Sequence, residues 1–135
     1  MILVDSSAWI EYYRPQGQAR AQAAVAEAIT ADQVAVNGIL QTEIVGFASS
    51  REEYRKLRSD FRAFRWLELT EAVFERAAQL GVALRALGVT VPATDLIIAA
   101  CAMEAKATLF HLDQHFVEIA RRCDLLQQDL RQATG

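Results

Sequence analysis

The stretch ATDLIIAACAMEAKATLFHLD, residues 93–113, contains both kinds of element from which the fold is built. No charged residue occurs between Leu96 and Met103, which predicts a helix that is buried almost all round. The run TLFHL that follows predicts a short buried strand. Asp95 lies in the first turn of the predicted helix, and Asp113 comes directly after the predicted strand. Thr94 is placed to cap this helix, which would leave the Asp95 carboxylate to point outward.

Short strands and helices alternate along the rest of the chain as well. Further strands are predicted within MILVD, over Val34–Val36 and over WLEL, residues 66–69. Helices are predicted over residues 6–13, 18–31, 39–49, 51–65, 70–88 and about 113–121. Such alternation indicates parallel strands joined by helical crossovers. The expected fold is therefore a single α/β domain over residues 1–135, a three-layer α/β/α arrangement with a short-stranded parallel sheet flanked by helices.

The composition excludes several classes of protein. A formal net charge of −3 argues against binding polyanions by bulk charge, although a local basic patch or a bound metal could reverse the field. Cys101 and Cys123 show no metal-binding spacing, which favours reduced thiols in a cytoplasmic protein. Asp5 interrupts the apolar start, so no signal peptide is expected, and no apolar run is long enough to span a membrane.

Acidic residues fall where a parallel sheet binds its ligands, outside the carboxyl ends of the strands. Asp5 follows the first strand, Asp113 follows the last predicted strand, and Asp95 lies at a helix start that points to the same edge. Glu43 shares a predicted helix face with Leu40, Ile44 and Phe47, where a carboxylate is costly unless it is paired or bound to metal.

Each acid has a structural alternative when it is taken alone. Asp5 could cap the next helix, Asp95 could serve the helix dipole, Glu43 could reach solvent, and Asp113 could be a turn or cap residue. Four carboxylates at one edge repel each other, and Mg²⁺ or Mn²⁺ is the usual counter-charge. Metal held by carboxylates points to phosphate chemistry, whereas no glycine-rich phosphate loop and no Ser–His–Asp arrangement is evident.

Three segments of the chain resemble the PIN-domain nucleases, and specifically the VapC toxins of prokaryotic type II toxin–antitoxin modules. They are ILVDSSAWIEYYR, QTEIVGF and VPATDLIIAACAMEAKATLFHLDQHFVEIA, which begin at Ile2, Gln41 and Val91. The resemblance implies a parallel sheet flanked by helices and a Mg²⁺- or Mn²⁺-dependent endoribonuclease activity. It also implies a homodimer that is neutralised by a cognate antitoxin.

Carried over by position, the resemblance assigns Asp5, Glu43, Asp95 and Asp113 to an acidic quartet that is both catalytic and metal-binding. Ser7 matches the residue that supports the first aspartate by hydrogen bonding. One position departs from many relatives, which have a second acid where this chain has His115. His115 could be a metal ligand, an RNA contact or a surface residue, and the last of these is favoured.

The resulting hypothesis is hydrolysis of single-stranded or loop RNA. A basic helix would face the substrate, with its charge supplied by Arg51, Arg55, Lys56, Arg58, Arg62 and Arg65. Alternatively that helix is a solvated face, because Glu52, Glu53 and Asp60 dilute its charge. Trp9, Tyr12 and Tyr13 could contact a partner, although core packing is the simpler explanation. Two other functions stay open: a catalytically silent RNA- or protein-binding module, and a PIN nuclease of RNA processing.

Overall fold

The computed structural model describes residues 1–131, which form one five-stranded parallel sheet. The strands are β1 (Ile2–Val4), β2 (Val34–Val36), β3 (Arg65–Trp66), β4 (Thr108–His111) and β5 (Gln127–Asp129). They lie in the order β3-β2-β1-β4-β5, so the first strand is central and pairs with β2 on one side and β4 on the other. The strands that lead to Asp5 and Asp113, β1 and β4, are therefore neighbours in the sheet.

Seven helices connect and flank these strands within residues 1–131, giving the three-layer α/β/α arrangement. They are α1 (Ser6–Tyr13), α2 (Ala19–Thr30), α3 (Gly38–Val45), α4 (Arg51–Arg62), α5 (Glu71–Ala86), α6 (Ala93–Ala105) and α7 (Gln114–Ala120). Helix α6 is buried on most of its surface from Ile98 to Ala102, as its uncharged sequence predicts. None of the helices in the part of the chain that is described has the length and apolar character needed to cross a bilayer.

The helices that follow β1, β2 and β4 begin in the same way. Asp5, Asn37 and Asp113 are their N-cap residues, and each side chain accepts a hydrogen bond from a backbone N–H of the first turn. Such caps satisfy N–H groups that have no partner inside the helix. These hydrogen bonds to the local backbone fix the orientation of the polar side chains at the strand ends.

Aromatic packing anchors α1 to α4. Trp9 is fully buried, stacks against Tyr13 and Phe64, and contacts Phe61 at a ring-centroid distance of 5.0 Å. Tyr12 meets Trp9 edge-on. The core-packing explanation for Trp9, Tyr12 and Tyr13 is therefore the one that the structure supports.

Two predictions about helix ends, the C-terminus of α3 and the N-cap of α6, are wrong, and each has a local cause. Helix α3 ends at Val45 with Gly46 as its C-cap, which leaves Phe47 outside the helix and 81% exposed. Helix α6 has Pro92 at its N-cap position and no side-chain cap, so Thr94 does not cap it. The fixed φ of proline suits this position without a capping side chain.

The edge strands differ most from the prediction. Helix α4 ends at Arg62, and Arg65 lies in β3, where it pairs with Ala35 of β2. Strand β5 was not predicted at all. Both edge strands are short and carry polar or exposed residues, so neither has the apolar pattern that marks a buried strand.

Candidate active site

Three adjacent strands present polar residues at their carboxyl ends. Asn37 follows β2, Asp5 follows β1, and Asp113 lies two residues beyond the end of β4. The backbone N–H of Asp5 donates to the carbonyl of Phe110 at 2.9 Å, which aligns the ends of β1 and β4. Parallel pairing therefore places Asp5 and Asp113 at one edge, as the sequence predicts.

Ser7 holds the Asp5 carboxylate in place. Its hydroxyl and its backbone N–H both donate to Asp5 Oδ2, at 2.6 and 3.0 Å. The same hydroxyl accepts from the backbone N–H of Leu112 at 3.0 Å. Because both bonds to Asp5 use Oδ2, Oδ1 is left for other contacts, and Ser7 ties β1 to the segment that carries Asp113.

Asp95, Asp113 and His115 form a compact group of potential metal ligands. Each offers one ligand atom, and these atoms all lie within 4.8 Å of one another. His115 Nδ1 is 2.9 Å from Asp95 Oδ2 and 3.4 Å from Asp113 Oδ1. His115 is at the surface, with its side chain 42% exposed, and its ring also contacts both acids.

The electrostatic environment links Asp5 to this group. Burial raises the pKa of Asp5, hydrogen bonds from Ser7 and Ser6 oppose that rise, and the charge of Asp113 adds to it. Burial also raises the pKa of Asp95; the hydrogen bond from His115 opposes the rise, and the charges of Asp5 and Asp113 add to it. Three of the four predicted acids are therefore close enough to repel one another.

Glu43 is placed differently from the other three acids. It lies half-buried on α3 and accepts a hydrogen bond from the Ser6 hydroxyl at 2.8 Å. Ser6 is the residue after Asp5, so Glu43 is connected to the acidic edge by one side chain. Among residues 1–131, neither Glu43 nor Asp5 belongs to the group of ligand atoms formed by Asp95, Asp113 and His115; Asp5 is linked to that group by its charge interactions with Asp95 and Asp113.

The predicted basic residues lie outside the acidic edge. Arg55, Arg58 and Arg62 line a shallow surface cavity on α4 together with Tyr54 and Ser59. Lys56 forms an ion pair with Asp60 at 3.1 Å, so its charge is partly neutralised within α4. Arg51 and Arg65 are exposed.

Two residues that position side chains of the site, Asn37 and Ser6, are not among those predicted from the sequence. Asn37 is fully buried at the end of β2, and its side chain accepts from the backbone N–H of Leu40 to cap the helix that carries Glu43. An asparagine between a strand and a helix is a recognisable capping signal. Ser6 gave no such signal, because its partner Glu43 is 37 positions away.

The donor set fits a divalent cation that prefers oxygen. Carboxylates from Asp5, Asp95 and Asp113 lie at one edge, where the charge of Asp113 adds to the raised pKa of the other two. A bound Mg²⁺ or Mn²⁺ would offset that repulsion, and carboxylate oxygens are its usual ligands. Asp95, Asp113 and Asp5 are the residues that would hold the ion.

The chain is similar in sequence and fold to known proteins of one family. Residues 2–122 match the model of the PIN domain family. Ribonuclease VapC11 of Mycobacterium tuberculosis is 31% identical over 134 residues, which cover 97% of this chain and all of the relative. The crystal structure of FitAcB from Neisseria gonorrhoeae superposes with a TM-score of 0.79 at 26% identity, covering 96% of this chain and 98% of that one.

A chain of a toxin–antitoxin complex from Klebsiella pneumoniae has the same fold, with a TM-score of 0.67 at 20% identity; the match covers 84% of this chain and 88% of that one. The present chain therefore belongs to the PIN-domain family, in its VapC branch.

The raised pKa values predict a stability that depends on pH in the absence of metal. The ordinary pKa of an aspartate is 3.8, and in the folded protein those of Asp5 and Asp95 are higher. The folded state therefore binds these protons more tightly than the unfolded state does. Their stabilising contribution is greatest below the ordinary pKa, and it is lost as pH rises through the folded pKa.

Asp5→Asn is expected to raise the free energy of unfolding at neutral pH in the presence of EDTA. An asparagine oxygen can accept both Ser7 bonds, while the buried negative charge is removed. Urea unfolding between about pH 4 and pH 8 tests this, and the gain over wild type should grow with pH. The exposed Asp124→Asn is the matched control. A variant that is less stable by the same amount at every pH contradicts the electrostatic argument.

Proposed function

We propose that this chain is a metal-dependent endoribonuclease that hydrolyses RNA phosphodiester bonds and acts as the toxin of a VapC-type toxin–antitoxin module. The observation that carries the proposal is the meeting of Asp5, Asp95 and Asp113 at the carboxyl edge of a PIN-family sheet. Relatives of this chain are named as ribonucleases, and a structure of the same fold is titled a toxin–antitoxin complex.

The proposed roles follow from the positions of the side chains. Asp5 and Asp95 are the principal metal ligands, and Asp113 completes the site. Glu43, held by Ser6, helps to bind the metal or positions the attacking water. Ser7 positions Asp5 through its two donated bonds. When bound, Mg²⁺ or Mn²⁺ supplies positive charge for the scissile phosphate and increases the acidity of a water molecule.

RNA cleavage by the purified chain tests the catalytic part of the proposal. Asp5→Asn and Asp95→Asn should each lower the rate by about 100-fold or more, since each removes a carboxylate ligand of the ion that would stabilise the negative charge of the transition state. The substrates are total bacterial RNA and a labelled pool of single-stranded oligoribonucleotides, incubated with Mg²⁺ or with Mn²⁺. The exposed Glu71→Gln on α5 is the control and should cleave at the wild-type rate.

Unchanged cleavage in both aspartate variants would reject this mechanism. A wild-type chain that binds neither metal and cleaves no RNA would instead favour the catalytically silent binding module.

The arginines on α4 are the proposed contacts to the RNA backbone. Arg55, Arg58 and Arg62 lie on the outer face of the helix, whereas Leu57 and Phe61 on the opposite side are buried. An RNA strand could lie along this face, because backbone phosphates are recognised by arginine without reading sequence.

Removing these three charges should weaken RNA binding in EDTA and reduce its salt dependence. Each phosphate contact to a single strand contributes about 0.7 to the slope of log affinity against log salt, so the triple alanine variant should lose about 2 from that slope. Fluorescence anisotropy at several salt concentrations measures it, with the exposed Arg85→Ala as the control. An equal slope in wild type and triple variant would mean that α4 is only a solvated face.

The cognate antitoxin is proposed to be encoded in a small reading frame beside the gene for this chain. Its product should co-purify with the chain and abolish RNA cleavage at equimolar concentration, whereas an unrelated small acidic protein should not. Expression of the chain alone should arrest bacterial growth, and co-expression should restore it. Cleavage without growth arrest, and without inhibition by the neighbouring product, would favour an RNA-processing nuclease. The predicted homodimer and the expected cytoplasmic location stay predictions.

A further inference from the structure

We propose that His115 supplies a nitrogen ligand to the divalent metal, so that this chain has a mixed carboxylate–imidazole site rather than an all-oxygen one. The inference rests on the metal dependence proposed above and concerns the third member of the group formed with Asp95 and Asp113.

The spacing of the three side chains fits ligands of one ion. His115 Nδ1 is 2.9 Å from Asp95 Oδ2 and 3.4 Å from Asp113 Oδ1. Neighbouring ligands of an octahedral ion with bonds of about 2.1 Å lie about 3.0 Å apart. A small rotation of the imidazole and one carboxylate would therefore open a position between the three atoms.

The backbone around His115 holds the ring at this edge. The N–H of His115 donates to Asp113 Oδ1 at 2.9 Å, and the N–H of Asp113 donates to His111 Nδ1 at 3.0 Å. His111 is fully buried and makes a further contact with Gln127 on β5. Asp113 and His115 are therefore held together by hydrogen bonds in the turn that follows β4.

The hydrogen bond between His115 and Asp95 is compatible with metal binding by His115. A carboxylate only accepts, so Nδ1 carries the hydrogen when it bonds to Asp95. A metal ligand must be an unprotonated nitrogen, and the neutral imidazole with its hydrogen on Nε2 provides it. The His115 side chain is 42% exposed and that of Asp95 is 17% exposed, so the ring lies on the open side of the site.

A nitrogen ligand changes which metal the site prefers. Mg²⁺ favours oxygen ligands almost exclusively, whereas affinity for imidazole-containing sites rises along the first-row divalent metals. This chain should therefore bind Mn²⁺ in preference to Mg²⁺. A carboxylate at the same position should shift that preference back towards Mg²⁺.

Pulsed electron paramagnetic resonance of bound Mn²⁺ tests the inference directly. The wild-type protein should show nitrogen hyperfine coupling from a coordinated imidazole, and both His115→Ala and His115→Asp should lose it. The chain has two histidines, and the other, His111, is buried and hydrogen-bonded, so loss of the signal in these variants isolates His115. Gln114→Ala, at the neighbouring exposed position, should keep the coupling.

Titration calorimetry with MnCl₂ and MgCl₂ provides a second readout. His115→Ala should bind Mn²⁺ about 10-fold more weakly or worse, and His115→Asp should have the lowest ratio of Mn²⁺ to Mg²⁺ affinity. Thermal unfolding in EDTA shows whether each variant is folded, and His115→Asp provides the second variant if His115→Ala is not.

Two negative outcomes are distinguishable. Mn²⁺ bound without nitrogen coupling in an RNA-cleaving wild-type protein would overturn the role of His115 and leave the proposed nuclease intact. A folded wild-type protein that binds neither metal would overturn both.

Discussion

Electrostatic repulsion between carboxylates at one sheet edge is the constraint on which the rest of this structure depends. Burial raises the pKa of Asp5 and of Asp95, and the negative charge of Asp113 adds to the rise in both. The surrounding structure has to hold them together despite this repulsion. Helix α6 does so by burying its apolar residues in the core, and Ser7 does so by bonding both Asp5 and the backbone at Leu112. Proteins commonly accept such local destabilisation where a function needs it.

Helix capping and site chemistry use the same side chains here. Asp5 and Asp113 both cap helices, and each is at the same time part of the acidic edge. The alternatives that the sequence leaves open, a cap or a functional acid, are therefore not exclusive. At Asp5 one carboxylate oxygen accepts both Ser7 bonds, which leaves the other oxygen for a different contact. Asp95 differs, because it lies inside the first turn of a helix whose N-cap residue, Pro92, makes no side-chain cap hydrogen bond.

The acids are not equivalent within the fold. Asp95, Asp113 and His115 form one close group, Asp5 lies beside it under tighter burial, and Glu43 is attached through Ser6. Solvent exposure increases across the site, from the buried Asp5 to His115, whose side chain is 42% exposed. His115 is therefore the member of this group that is most accessible from solvent.

The sequence by itself determined the alternating elements, the buried helix at Leu96–Met103 and the placement of Asp5 and Asp113 after strands. Those features follow from local apolar patterns and from the rule that parallel strands share a carboxyl edge. Only the tertiary structure decided that Ser6 holds Glu43 and that His115 lies between Asp95 and Asp113. It also placed the strand predicted over residues 66–69 at Arg65–Trp66 on one edge of the sheet, and added the polar strand Gln127–Asp129 on the other edge. These are contacts between residues far apart in the chain or pairings of strands without an apolar pattern. Their energies depend on which elements pack together, which no short stretch of sequence encodes.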